Sequence, residues 1–149
     1  MTTIYVGSDH NGYNLKHKLI EYLETLNHRV IDVGPFELNP KDDFPIYAQA
    51  AVNEVLAFKD QSHKAILICG SGQGMAMAAN RFKGIRASLC WNEAEAYSSR
   101  HDDDANVLCL SASQTSIEEM QNITLVWLKA EFAKAPRFVR RLNLLDQIG

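Results

Sequence analysis

Apolar residues along the chain follow two alternating rhythms. Short, nearly continuous runs rich in β-branched residues read as strands: Ile4-Tyr5-Val6-Gly7, Arg29 to Val33, Ala65 to Cys69, Ile85 to Cys90 and Val107 to Leu110. Between them lie segments with apolar residues at steps of three and four. Leu15, Leu19, Ile20, Leu23 and Leu26 mark one amphipathic helix over 13–26, and Ile117, Met120, Ile123, Leu125 and Leu128 mark another over 116–132. Helices are also expected over about 46–58, over 75–82 and from Asn92. The break at Pro136 precedes a short terminal helix, about 137–148, whose regular part runs Val139 to Ile148.

A βαβα rhythm with strands apolar on both faces predicts an α/β fold. The expected form is a Rossmann-like, doubly wound sandwich around a five-stranded parallel sheet. No internal repeat, low-complexity tract or linker interrupts residues 1–149, so a single domain is expected.

Composition removes several classes of function. A formal charge of −3 gives no basic footprint for nucleic acid, and no apolar run reaches the ~18 residues of a membrane span. The N-terminus enters a strand directly, without a secretory pattern. Cys69, Cys90 and Cys109 are odd in number and lie in apolar runs, which points to free thiols in a reducing cytoplasm.

In open parallel sheets, ligands bind beyond the carboxyl ends of strands. That rule selects Ser8–Gly12, Cys69–Gly74, and Trp91 with the Ser98–Asn106 region. The run Cys69-Gly70-Ser71-Gly72-Gln73-Gly74 lets the backbone approach a ligand with free N–H groups, a setting for phosphate or a developing enediolate oxygen. It lacks the spacing of a dinucleotide site, and no cofactor is expected. Cys69 is then either a low-pKa base or a small hydrophobe at a strand end. Asp9 is either a substrate ligand or a helix cap, and His10 either a proton carrier or a cationic phosphate contact. Arg137, Arg140 and Arg141 share one helix face, either a phosphate fork or a solvated basic surface. His101-Asp102-Asp103-Asp104 has ligand-type side chains, but neighbours on a helix end diverge and no metal is expected.

Gly7-Ser8-Asp9-His10-Asn11-Gly12, Asp43-Phe44-Pro45, Ile68 to Met75, Ala78-Ala79-Asn80-Arg81, Gly84-Ile85-Arg86-Ala87 and Ala105-Asn106-Val107-Leu108 occur in this order. Together they resemble ribose-5-phosphate isomerase type B, of the family that includes the galactose-6-phosphate isomerase subunits. The resemblance implies metal-free interconversion of ribose 5-phosphate and ribulose 5-phosphate through a cis-enediolate. Cys69 falls on the family's base, and Gly70, Ser71, Gly72 and Gly74 on its enediolate-binding loop. Asp9 and His10 match substrate contacts, while Arg137 and Arg141 match phosphate contacts. The resemblance further implies a homodimer, or a dimer of dimers, in which each site is completed by the partner's Ser98–Asn106 region and terminal helix.

Three departures are visible. Asp102 stands where the family has the histidine credited with opening the sugar ring, and Asp103 where it has an asparagine. His101 is adjacent, although one helical step rotates a side chain by about 100°. Ser113 occupies the place of a further arginine. The alternatives these leave are an isomerase of another aldose phosphate, such as allose 6-phosphate, and a non-catalytic phosphosugar-binding homologue. A thiol redox protein fits poorly, because the next cysteine, Cys90, lies a helix and a strand further on.

Overall fold

Strands alternate with helices throughout the computed structural model, which describes residues 1–149. The strands are β1 (Thr3–Ser8), β2 (Arg29–Asp32), β3 (His63–Cys69), β4 (Ala87–Leu89) and β5 (Val107–Ser111). The helices are α1 (Tyr13–Thr25), α2 (Phe44–Leu56), α3 (Gln73–Ala79), α4 (Glu93–His101), α5 (Ile117–Lys129) and α6 (Pro136–Asp146). All strands are parallel, in the order β2-β1-β3-β5-β4. This is the expected α/β doubly wound sheet.

Pleating sends alternate residues to opposite faces. Ile4, Val6, Ile66, Ile68, Leu108 and Leu110 pack on one face against α1, α4 and α5, through Leu19, Leu23, Ala96, Met120, Ile123 and Trp127. Tyr5, Ala65, Leu67, Cys69, Val107 and Cys109 pack on the other against α2 and α3, through Ala48, Ala51, Val52, Val55, Met75 and Ala79. Cys90 and Cys109 are fully buried, and burial raises both thiol pKa values, so each stays protonated as packing.

Several boundaries differ from the sequence reading for identifiable reasons. Pro136 opens α6 rather than breaking the chain before it, since proline at a first helical position sacrifices no helical hydrogen bond. Pro45 likewise lies in the first turn of α2, which therefore starts and ends two residues before the expected span. The β4 strand, Ala87–Leu89, is shorter than its apolar run, although the flanking residues still bond to the β5 side: Arg86 O accepts from Asn106 N–H at 3.0 Å and Cys90 N–H donates to Cys109 O at 3.2 Å.

The chain reverses between β1 and β3 sides of the sheet, since β2 lies beyond β1 and every later strand lies beyond β3. At this switch point a 3-10 turn, His10–Gly12, sits on the end of β3. A Cβ added at Gly12 would lie 2.6 Å from Ile68 Cγ2 and 2.9 Å from Ile68 O, so only glycine fits without displacing β3. Gly12→Ala is expected to cost about 1–3 kcal/mol by overpacking, read as a lower urea midpoint with unchanged slope.

Candidate active site

Two clusters of predicted residues form, at opposite ends of the sheet. The first lies at the carboxyl ends of β1, β3 and β5. Asp9 N–H donates to Ile68 O at 3.1 Å, which ties the end of β1 to the end of β3. Asp9 is almost buried, and its Oδ1 accepts from Asn11 N at 2.9 Å and Gly12 N at 3.3 Å. Both alternatives for Asp9 are thus compatible: one oxygen caps the turn, and Oδ2 has no partner in the chain.

His10 is held by a residue that the sequence reading missed. Asp42 Oδ1 accepts from His10 N–H at 2.9 Å and pairs with His10 Nδ1 at 2.7 Å. A carboxylate only accepts, so Nδ1 carries a proton and Nε2 is the ring's remaining nitrogen. The Asp42 hydrogen bond raises the His10 pKa, and the charge of Asp9 adds to it. Asp42 sits in a polar loop with no periodic signal; only the acidic pair before Phe44-Pro45 hints at it. That loop is anchored by fully buried Lys16, whose Nζ donates to Asp32 Oδ1 at 2.8 Å and to Pro35 O at 2.5 Å.

Cys69 closes β3 and is 3% exposed. Beyond it, Gly70, Ser71 and Gly72 lead into α3 with Gly72 at φ 75°, the left-handed conformation that favours glycine. Gln73 N–H donates to Ser71 Oγ at 3.3 Å. The N–H groups of Gly70, Ser71, Gly72 and Gly74 find no acceptor in the chain. At the crevice that a switch point leaves between the ends of β1 and β3, Gly70 faces the β1-end turn: a Cβ on it would lie 3.2 Å from Asn11 Nδ2, whereas Gly72 abuts Leu89 and Leu110 and Gly74 abuts Phe44.

The second cluster corrects the placement of Ser98–Asn106. That segment does not share the carboxyl-end crevice with Trp91. The α4 helix returns antiparallel to the strands, so its last turn lies at their amino ends. There Arg86, just before β4, donates through Nε to Asp103 O and Asp104 O at 3.1 Å each. Asp104 accepts from Arg100 at 2.8 Å, whereas His101 Nδ1 donates to Asp102 Oδ1 at 2.7 Å. The four-residue run therefore splits into separate pairs. His101 also stacks on Tyr97, with centroids 5.0 Å apart, and meets Phe138 of α6 edge-on at 6.0 Å.

Arg137 and Arg141 are exposed on α6 at this same end. The Arg137 guanidinium lies 4.4 Å from the Phe138 ring centroid. Burial and the neighbouring Asp102 raise the Asp103 pKa, opposed by Arg141 and Arg86. Seven residues of β3, at about 3.3 Å each, separate this cluster from Cys69 by roughly 20 Å.

The whole chain between residues 4 and 145 matches the family described as Ribose/Galactose Isomerase. The chain belongs to this family. It is 45% identical over 129 residues to "Probable ribose-5-phosphate isomerase B" of Mycoplasma pneumoniae, covering 87% of this chain and 84% of that one. Identity to ribose-5-phosphate isomerase B of Mycolicibacterium paratuberculosis is 33% over 144 residues, covering 97% and 89%. The crystal structure of the Mycoplasma genitalium isomerase B with bound ribulose-5-phosphate superposes with a TM-score of 0.94 at 38% identity, covering 98% and 95% of the two chains. Membership makes the protein an aldose–ketose isomerase. No helix is long and apolar enough to cross a membrane.

Within this isomerase fold the His10–Asp42 pair carries a pH signature. Because the folded pKa of His10 is raised, the pair's contribution to stability is complete below the ordinary histidine value of about 6.5. It is lost as pH rises through the raised value. Asp42→Asn keeps an acceptor oxygen but removes the charge, and is expected to lower the His10 midpoint in an NMR titration of the imidazole.

Proposed function

We propose that the protein interconverts ribose 5-phosphate and ribulose 5-phosphate through a cis-enediolate, with Cys69 as the base that moves the proton between C2 and C1. The observation that carries this reading is the meeting, at the β1–β3 switch point, of Cys69 with backbone N–H groups that have no acceptor. A thiolate beside such donors can take the C2 proton while the N–H groups of the Gly70–Gly74 loop receive the charge that develops on oxygen. Asp9 Oδ2 and the His10 ring would hold the sugar phosphate from the opposite wall. The substrate named for the Mycoplasma genitalium relative supports the choice of a five-carbon phosphate.

The remaining machinery would come from a second copy. Arg137, Arg141, Asp103 and the His101–Asp102 pair lie a sheet length from Cys69 in one chain, so they serve a homodimer whose sites are shared. Arginine forks at this end suit a phosphate dianion. The His101–Asp102 hydrogen bond supports His101 as the ring-opening acid, with Asp102 orienting it and Nε2 facing substrate. Asp102 in place of the family histidine also favours a second reading, another aldose phosphate such as allose 6-phosphate. Steady-state rates on the two sugars separate these readings.

Cys69→Ala is expected to abolish turnover while leaving substrate binding within severalfold. Full turnover by that variant would reject Cys69 as base. Mixing equal amounts of Cys69→Ala and Arg141→Ala homodimers, each inactive, should restore about a quarter of wild-type activity, since half the dimers become hybrids with one intact site. No recovery after subunit exchange would reject the shared site. For ring opening, His101→Asn should depress kcat on the cyclic sugar more than Asp102→Asn does; the opposite order would make Asp102 the acid.

A further inference from the structure

The backbone at the end of β3 breaks the alternation of a strand. Ile68 O accepts from Asp9 N–H on the β1 side at 3.1 Å, and Cys69 O accepts from Ala112 N–H on the β5 side at 2.9 Å. Continued pleating would return the next carbonyl to the β1 side. Gly70 O instead stays on the β5 side. There it accepts from Ser113 N–H at 3.0 Å, Ser113 Oγ at 2.8 Å and Ser111 Oγ at 2.9 Å.

A trans peptide points its N–H opposite to its C=O. With two successive carbonyls turned to β5, the N–H groups of Gly70 and Ser71 both turn toward β1. Neither has an acceptor in the chain. The β1 side is the wall formed by Asp9, His10 and Asn11, and a Cβ on Gly70 would lie 3.2 Å from Asn11 Nδ2. Two consecutive N–H groups on one side form a concavity for a negatively charged oxygen. The donors on Gly70 O therefore determine where that concavity faces.

We propose that Ser111 and Ser113 are positioning residues for the isomerisation: their hydroxyls clamp the Gly70 carbonyl on the β5 side and so aim the Ser71 N–H at the enediolate oxygen. Ser111 is fully buried and its Oγ also accepts from Gln114 N–H at 3.2 Å, which fixes its rotamer. Ser113 is exposed, yet its hydroxyl is directed inward to the same carbonyl. Three donors on one carbonyl also polarise the peptide unit and strengthen the Ser71 N–H as a donor. Serine at 113 thus has a function of its own, in the place where the family resemblance puts an arginine. The proposal rests on the enediolate reading given above.

The test uses the full-length enzyme with Ser113→Ala, an exposed change that leaves the core untouched, and Ser113→Thr, which keeps the hydroxyl. Four readouts are taken: kcat, KM for ribose 5-phosphate, inhibition by a four-carbon phosphohydroxamate that mimics the enediolate, and inhibition by ribitol 5-phosphate, which cannot enolise. Ser113→Ala should lower kcat roughly tenfold, less than the loss of an entire oxyanion donor. KM should stay within about twofold, as for an interaction made mainly in the transition state. Hydroxamate affinity should fall in parallel, ribitol 5-phosphate affinity should hold, and Ser113→Thr should restore kcat. An unchanged kcat, a change confined to KM, or equal weakening of both inhibitors would overturn the clamp. Cys69→Ala separates the two levels: if it abolishes turnover while Ser113→Ala is silent, only the clamp fails. If it keeps turnover, the enediolate reading fails first.

Discussion

The approach of the His10–Gly12 turn to the end of β3 is the contact on which the rest of the arrangement depends. Ser8 is the register partner of Ile68, Asp9 N–H reaches Ile68 O, and Gly12 rests against the Ile68 side chain. A one-residue slip of β1 would exchange Ile4 and Val6 with Tyr5 between the two faces, emptying one core and crowding the other. Both hydrophobic layers therefore defend the register. The crevice is a by-product of that defence, because the same register puts Asp9 and His10 across from the Cys69 loop.

The sheet also sets the limit of what one chain can do. Helices that follow parallel strands must run back, so the segment after α4 and the helix α6 that follows α5 gather at the amino end, where Arg86 contacts Asp103, Asp104 and Asp146. No local adjustment moves Arg141 a full strand length to Cys69. On the proposed mechanism, assembly supplies the second half of each site, and the exposure of Arg137 and Arg141 in the single chain is what such a division requires.

The parts of this arrangement legible in the sequence were those carried by period and by composition. Continuous apolar runs marked the strands, and steps of three and four marked α1 and α5, because burial on both sheet faces leaves few alternatives. The glycines after Cys69 marked the loop. Three features left no such trace. Asp42 and Ser113 act through hydrogen bonds from irregular segments, where neither spacing nor hydropathy distinguishes them from solvated polar residues. The location of Asp102 depends on helix direction rather than residue type, since α4 spans the sheet between Trp91 and Asp102. Pro136 marks a boundary but lies inside α6 rather than before it, since proline interrupts a helix only when an N–H is needed.

Charge explains why positioning matters so much at the β1–β3 end. Around the crevice in one chain, Asp9 and Asp42 are acidic, and His10, whose pKa the Asp42 hydrogen bond raises, is paired to Asp42. Ser113 adds no charge where an arginine would have added one. An enediolate forming there meets oriented backbone dipoles rather than a full positive charge. Such dipoles stabilise an oxyanion only if their direction is already set, because a loop that must reorganise spends the gain on its own reorientation. A neutral clamp on the Gly70 carbonyl fixes that direction without adding a charge that would bind substrate and transition state alike. The arginines at the other end of the sheet can then hold the phosphate, which keeps its charge throughout the reaction, while the dipoles answer the charge that changes.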